Sequence, residues 1–465
     1  MKIIIVGGGI SGLSAYLSFK KYLKTGTHTI SIYEKHHSQL NATSTTNDGE
    51  TTTSTFEELS SSGAIVGGGL GVSPNGMRIL KELSLDLHDA VDKQGFRAEQ
   101  FVFRSSRGWR LSSQPTSDRR IEDGEEVCVA SSRHGLWQCL RDEVARVDKD
   151  ILRYRKVIGV EMGDEAGSRR PRVLFEDGEE EEADLVVGAD GVKSIVKDAI
   201  FGDVDAFKPV YEGMIGVGGF LPNSSLPPLP PCDANSMVFT FGPNGFFGYS
   251  PSSPDTTMWW STCEAENIPA TTRISTSDMQ SQLKAHHEKW KDPTIKAIIQ
   301  KADVESIYPV WTTPELPHWG KGGVILVGDA AHGLNPTSGQ GSSQAMEDTK
   351  TLAILLERFM NQTNAGGRTH EQALSLPEAI DRTIRVLYEV RNQRIDKIVQ
   401  RTKMMSNRKK EQGFVEEMVT CFFLWLIGKV PAAGKLVVGD VLKELYRWDV
   451  YAEIEIALKK LELDG

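Results

Sequence analysis

A run of β-branched residues, Ile3–Val6, ends abruptly in glycine, and the glycines that follow sit at Gly7, Gly9 and Gly12 in IIIVGGGISGLSA. Four β-branched residues in a row leave no polar face, so the segment predicts a strand covered on both sides, as in a parallel sheet between helices. The glycine spacing is G-x-G-x-x-G. The first glycine makes the tight turn, the second lets backbone approach a pyrophosphate, and the third lets helix pack on strand. A helix starting there offers unpaired N–H groups and the positive end of its dipole to phosphate. HTISIYEK then predicts a second strand ending in Glu34. A carboxylate placed there can accept both ribose hydroxyls of an adenosine. Strand, turn, helix and acid together predict a dinucleotide site, because a glycine turn used only for packing leaves Glu34 unexplained. This motif alone does not choose between NAD and FAD.

The bulk numbers narrow the remaining classes. A chain of 465 residues allows two or three domains, or one α/β body with an inserted second domain. The net charge is −10 with acidic and basic residues interspersed, and no Lys/Arg-rich tract argues for a nucleic-acid partner. The five cysteines are scattered, without a CxxC pair or a Cys/His cluster. That pattern suits neither a disulfide framework nor a metal site, and a reducing, cytoplasmic setting is expected. Ile3–Val6 is too short for a signal-peptide core. The most apolar later stretch, CFFLWLI from Cys421 to Ile427, falls far short of the ~20 residues of a membrane span. It predicts a buried helix end, with weak membrane association through 418–427 as the alternative reading.

The organisation expected is α/β, with a GxGxxG dinucleotide-binding domain of Rossmann type, an inserted antiparallel substrate sheet and a helical C-terminus. The boundaries are 1–206 for the first part of the nucleotide domain, 207–309 for the sheet, 310–365 for the second part and 377–465 for the helices. Residues 38–62 are Ser/Thr-rich and predict a surface loop. The sheet region is expected from its aromatics and glycines, as in GFFGYSP and MWWSTCEAEN.

A second constellation runs from Gly322 to Asp348, GGVILVGDAAHGLNPTSGQGSSQAMED. Asp329 ends a strand-like run, where α/β sheets bind ligands. An isolated carboxylate there would be costly to bury, so it should accept bonds from hydroxyls. Pro336, Gly339, Gln340, Gly341 and Ser342 then lead into a helix whose first N–H groups can hold partial negative charge, such as the N1–C2=O edge of a reduced flavin.

With these segments the chain resembles the class A FAD-dependent monooxygenases of the para-hydroxybenzoate and salicylate hydroxylase type. Gly7, Gly9, Gly12 and Glu34 match the family's first motif. Asp190-Gly191 in DLVVGADGVKS match the second, associated with both FAD and NAD(P)H, and Gly328-Asp329 match the third, whose acid serves the ribityl side of FAD. Arg133 in SRHGLWQCL matches the arginine near the flavin, and Gly69 in GGGLGVSPNG lies in the segment that lines the ring. The resemblance implies FAD reduced by transiently docked NAD(P)H, a flavin C4a-hydroperoxide formed with O2, and transfer of one oxygen atom to a substrate by hydroxylation or epoxidation. It implies a structural role for His332.

The chain departs from the family at PVYEGMIGVGGFLP, where relatives that bind phenolates or acids often carry an arginine. Gly216, Gly218 and Gly219 stand there instead, which argues for a neutral or bulky substrate fitted by shape. Tyr211, Phe246, Phe247, Tyr249, Trp259 and Trp260 are candidate pocket residues, with Phe247, Tyr249 and Trp260 preferred, although strand alternation lets about half face one side. Should a phenol need deprotonating, Tyr211 and Tyr249 are the candidate bases. YEVRNQR, Tyr388 to Arg394, resembles a segment of relatives at imperfect spacing and receives no role. The function expected is monooxygenation of a small apolar, aromatic or polycyclic molecule. A dehydrogenase or oxidase of the same fold, and a redox-inactive FAD-binding scaffold, are the alternatives.

Overall fold

The computed structural model describes residues 1–36, 68–117, 124–164, 168–202, 204–243, 245–265, 276–302, 304–363, 373–406, 413–430 and 441–463. The Ser/Thr-rich segment 38–62 lies outside the described residues. The chain opens as β1 (Lys2–Val6), α1 (Ile10–Tyr22) and β2 (Thr29–Glu34), with Ile3, Ile4 and Ile5 fully buried as an all-apolar parallel strand requires. Then come β3 (Gly69–Val72), α2 (Pro74–Leu83), α3 (Leu85–Gln94), β4 (Phe96–Ala98), β5 (Gln100–Ser105), β6 (Arg110–Pro115) and β7 (Cys128–Ser132). Helix α4 (Arg133–Val147) leads into β8 (Leu152–Tyr154). A small meander of β9 (Val157–Glu161), β10 (Arg172–Phe175) and β11 (Glu180–Glu182) returns the chain to β12 (Leu185–Gly188) and α5 (Ile195–Phe201).

The second half begins with β13 (Val210–Pro222), β14 (Ser236–Gly242), β15 (Gly245–Pro251) and β16 (Thr256–Glu264), followed by α6 (Thr276–His287), α7 (Pro293–Lys301) and β17 (Ser306–Thr312). The chain then re-enters the first body through β18 (Gly320–Lys321), β19 (Val324–Leu326), the single turn α8 (Asp329–His332) and the long α9 (Gly341–Met360). It closes with α10 (Leu376–Ser406), α11 (Phe414–Lys429), α12 (Val441–Tyr446) and α13 (Val450–Leu463).

Two sheets organise the molecule. The first has six strands in the order β18-β19-β12-β1-β2-β8, parallel throughout except for β18. Its strands β1, β12 and β19 converge from three distant stretches of sequence, so their C-terminal ends, Val6, Gly188 and Leu326, lie side by side. Ligands bind at that end of such sheets. The second sheet has seven strands in the order β17-β13-β16-β15-β14-β5-β6. It differs from the antiparallel insert expected at 207–309 in one respect: β5 and β6, residues 100–115, complete its edge, and β14 pairs with β5 in parallel. The pairing is long-range, and no local feature of QFVFRS distinguishes a strand of one sheet from a strand of the other.

Helices α6 and α7 cover one face of the seven-stranded sheet, where Val217, Phe247, Tyr249, Trp259, Ile295 and Ile298 form a closed core. The opposite face meets β3, since a side chain on Gly69 would strike the Met258 sulfur and one on Gly71 would touch Met237. The seven-stranded sheet thus turns its Met237–Met258 face toward β3. Helix α11 lies along the edge strand β6, with Gly428 so close to Ser112 that a Cβ would sit 2.5 Å from the serine Cβ. The buried helix end expected for CFFLWLI is not found, because Phe422 and Trp425 are 61% and 43% exposed.

Candidate active site

The first motif forms the expected turn. Gly7 has φ +107°, and a Cβ there would lie 2.5 Å from the Ala189 carbonyl oxygen, while a Cβ on Gly12 would lie 1.9 Å from the Gly7 carbonyl oxygen. Both positions are glycine because strand, turn and helix are pressed together. Gly9 is different: nothing lies within 4 Å of the place its Cβ would take. Gly9 also precedes α1 without any side-chain cap, so the first N–H groups of that helix face outward unpaired by a cap. An open glycine at an uncapped helix start fits a pyrophosphate.

Glu34 ends β2 and is held from behind: Gly8 N–H donates to Oε2 at 2.8 Å and His36 N–H to Oε1 at 3.0 Å. The backbone thereby points the carboxylate along the sheet edge, leaving lone pairs for ribose hydroxyls. Trp137 on α4 donates its indole N–H to the Gly8 carbonyl at 2.8 Å and so pins the turn from the other side. Arg133 stands exposed at the start of the same helix, and its own N–H donates to the Gly68 carbonyl.

Asp329 sits at the end of the third central strand, half-exposed, and among the described residues no hydrogen-bond donor reaches its carboxylate. It is an acceptor kept available for hydroxyl donors. Beyond it, nothing lies within 4 Å of a Cβ placed on Gly339 or Gly341, and α9 starts at Gly341 without a side-chain cap. Ser342 is half-buried in the first turn of that helix. The start of that helix therefore presents N–H groups that favour partial negative charge. The Gln340 side chain is itself engaged: the amide donates to Ser73 Oγ at 2.9 Å and accepts from Gln344 at 3.1 Å. Its backbone is engaged too, the N–H donating to Ser338 Oγ at 3.2 Å and the carbonyl accepting from Gln344 N–H at 2.8 Å.

Asp190 is likewise occupied. Its carboxylate accepts from Ser194 Oγ at 2.5 Å and from the Ile195 and Val196 N–H groups, capping α5, and burial pushes its pKa up against those bonds. The neighbouring Gly191, with φ +84° and nothing within 4 Å of a Cβ, is the open element of this second motif.

Behind α9 lies a cluster that the sequence reading left without a role. Arg391 is fully buried and donates to Asp348 at 2.8 Å, to Glu347 at 2.6 Å and to the Gln344 side chain at 2.6 Å. Arg394 donates to both oxygens of Glu347, and Trp448 stacks over both guanidinium groups at 4.6 and 5.0 Å. Asn75 on α2 completes Glu347 at 2.7 Å. Burial raises the pKa values of Glu347 and Asp348, but Arg391 with Arg394 for the first, and His332 with Arg391 for the second, outweigh it and hold both below the ordinary carboxylate range. His332 is held by Asp348 at 2.6 Å and packs against Trp319, the structural role expected of it. The arginines are those of YEVRNQR. Their i, i+3 spacing on one helix face was the signal, and only the fold supplies the acids.

Strand alternation then sorts the candidate pocket residues. Phe247, Tyr249 and Trp259 point to α6 and α7, away from β3. Tyr249 donates to Asp292 at 3.2 Å in this outer core, beside an open cavity bounded by Leu226, Leu229 and Thr294, and burial pushes its pKa far up. Tyr249 and Phe247 are therefore not beside the cofactor segments, and Tyr249 is no base for a substrate there. The Tyr211 hydroxyl is engaged as well, donating to the Ala265 carbonyl at 2.9 Å. Trp260 and Phe246 occupy the inner face, with Phe239 between them at 5.9 and 6.0 Å.

Two residues missed from sequence share that face. Met258 covers Gly69, and Tyr308 on β17 lies beside Gly68. A Cβ on Gly216 of β13 would lie 2.2 Å from the Tyr308 ring, and one on Gly248 of β15 would lie 2.3 Å from the Trp260 ring, so aromatic rings cover both glycines. The inner wall at 216–220, 237–241, 246–250, 258–262 and 306–308 contains no charged residue. Its titratable group is the Tyr308 hydroxyl, pushed up to about 12 by burial.

A three-strand confluence of nucleotide-binding motifs facing an aromatic sheet defines a single-chain flavoprotein oxygenase. The chain belongs to the FAD binding domain family, whose model matches residues 1–372, and it is a class A FAD-dependent monooxygenase. It is 27% identical to the 6-hydroxynicotinate 3-monooxygenase of Bordetella bronchiseptica over 67% of this chain and 77% of that one. It is 24% identical to the chloroplastic zeaxanthin epoxidase of Nicotiana plumbaginifolia, over 79% of this chain but only 50% of that longer protein. Among solved structures, Klebsiella pneumoniae HpxO complexed with FAD and uric acid superposes with a TM-score of 0.69 at 19% identity, covering 96% of this chain and 97% of that one. Among the described residues no helix is long and apolar enough to cross a membrane, and no His/Cys/Asp/Glu cluster suits a metal ion.

Proposed function

We propose that the protein uses NAD(P)H and O2 to insert one oxygen atom into a neutral, apolar aromatic or polycyclic molecule held against the Met258–Trp260–Tyr308 wall. The observation that carries the reading is the absence of charge on that wall, where the side chains offer contact area and one hydroxyl. Bound FAD would take hydride from the nicotinamide and activate O2. Gly9 and the start of α1 would hold its pyrophosphate and Glu34 its adenosine ribose. Asp329 would take its ribityl hydroxyls, Arg133, Gly69 and Gly191 would border it, and the start of α9 would stabilise negative charge on the reduced ring. The wall excludes water and fixes the substrate, and Tyr308 donates to a substrate oxygen.

With no carboxylate, histidine or lysine on this wall, the protein supplies no strong base to the substrate. Such a site suits an alkene, or an electron-rich ring that needs no prior deprotonation, better than a phenol. The described cysteines Cys128, Cys139, Cys232 and Cys421 are unpaired, which supports a reducing, cytoplasmic setting. The test is turnover of the FAD-loaded protein with labelled O2 and a panel of neutral polycyclic and anionic phenolic compounds. Label in a neutral product supports the reading. NAD(P)H oxidation that releases only hydrogen peroxide with every neutral compound, or label only in products of anionic phenols, overturns it in favour of an oxidase or a phenolate hydroxylase.

A further inference from the structure

Helix α11 is built inside out. The side it turns to the protein carries Glu417, Thr420 and Cys421, all buried, and Gly428 against β6. The side it turns outward carries Phe414, Val415, Val419, Phe422 and Trp425, each more than two-fifths exposed. A surface helix ordinarily buries its apolar stripe and wets its polar one. Here Glu417 is 3% exposed and committed inward, accepting from Ser106 Oγ at 2.8 Å and from Arg107 at 3.2 Å. The rotation of the helix is thus fixed by a buried carboxylate, and its aromatic face is held outward rather than left there by loose packing. The β5–β6 hairpin extends the patch with Trp109, 49% exposed, and Arg107 bridges the two by stacking on Trp109 at 5.8 Å and Phe414 at 5.2 Å.

The charge at this edge is mainly basic. Arg107 and Arg110, paired with the buried Glu417 and Asp233, and the exposed Lys291 and Lys429 surround the patch, against an exposed Glu416. An aromatic face with tryptophan at its rim and cations around it is the pattern of a helix lying in the interface of an anionic bilayer. A second copy of the chain would bring the same cations against one another.

We propose that α11 and the Trp109 hairpin dock on an anionic bilayer surface. What the docking delivers rests on the oxygenase reading. Leu424 on the flank of α11 packs on Phe103, Phe241 and Phe246, and Phe246 lies 6.4 Å from Trp260, so one continuous apolar track joins the helix to the inner wall. The substrate is accordingly one that partitions into lipid.

The test is co-sedimentation of the FAD-loaded full chain with phosphatidylcholine vesicles, with and without phosphatidylserine, read without turnover so that it stands apart from any failure of the oxygenase reading. Binding to the phosphatidylserine vesicles, weakened by salt, is expected. The double substitution Phe422→Ser, Trp425→Ser on the exposed face should lower it at least about tenfold, and Lys429→Glu roughly fivefold, with FAD absorbance and melting unchanged. Three results overturn the proposal. One is no vesicle binding at low salt. Another is a dimer in solution that the double substitution dissolves, which makes a second copy the occupant. The third is tryptophan quenching that the double substitution leaves unaltered in the absence of vesicles, which means that other parts of the chain cover the helix.

Discussion

The two walls of the candidate site solve opposite problems by opposite means. On the cofactor side, the start of α9 is backed by four fully charged groups, Glu347, Asp348, Arg391 and Arg394, all buried. On the side proposed for the substrate, the inner-face stretches at 216–220, 237–241, 246–250, 258–262 and 306–308 contain no charge, and the gaps over Gly216 and Gly248 are filled by the Tyr308 and Trp260 rings. Buried ion pairs gain little over apolar packing, but they are directional and penalise misplacement heavily. They suit the wall that must present N–H groups to one invariant ligand. Aromatic packing is less directional, and suits the wall whose ligand varies among relatives of the same fold.

The comparison can be broken first at Arg391. Arg391→Leu strands two buried carboxylates and should cost about 3–5 kcal/mol by chemical denaturation, with FAD retention lost in parallel. A loss under about 1 kcal/mol would mean that water already reaches Glu347 and Asp348. The same charges set a pH limit. Because their folded pKa values are depressed, their stabilisation is present above the unfolded carboxylate range and lost as pH falls through the lower folded values.

On the substrate sheet the corresponding acid limit lies higher and comes from a histidine. His287, buried against Trp290 with Nε2 2.8 Å from Ser261 Oγ, is pushed down to about 3, chiefly by burial. Folding requires it neutral, so stability is fully present above its unfolded pKa of about 6.5. Below that it is lost by up to about 1.4 kcal/mol per pH unit until the folded value near 3 is reached. His287→Gln should flatten the slope of unfolding free energy between those limits. An unchanged slope would assign acid sensitivity elsewhere.

Smaller effects sharpen the picture. Gly216→Ala drives a Cβ into the Tyr308 ring and should cost about 1–3 kcal/mol, most of it recovered in a Tyr308→Ala background. Additive losses in that double-mutant cycle would show that the ring does not occupy the glycine gap. Asp329→Ala should weaken FAD binding roughly tenfold or more in an equilibrium titration while leaving the melting of the FAD-free protein unchanged, since no donor of the described chain is lost. Smallest is Tyr249→Phe, which removes one hydrogen bond to Asp292 and should cost about 1 kcal/mol with kcat unaltered. A large fall in kcat would return Tyr249 to the chemistry.

The sequence by itself determined whatever is written in consecutive residues. The Ile3–Val6 strand, the Gly7/Gly9/Gly12 turn, Glu34 at a strand end and Asp329 before an open glycine loop are local patterns, each constrained by backbone geometry within one or two elements. The tertiary structure decided what depends on a partner far along the chain. QFVFRS joined the seven-stranded sheet, between β14 and the edge strand β6, because β14 pairs with it. The arginines of YEVRNQR acquired a role only when α10 packed on α9. Tyr249 and Trp260 were separated by register, which puts alternate residues of β15 and β16 on opposite faces and is set by pairing between strands rather than by composition. The outward aromatic face of α11 was decided by Glu417, because a carboxylate bonded to Ser106 and Arg107 fixes the rotation of a helix that is apolar nearly all round.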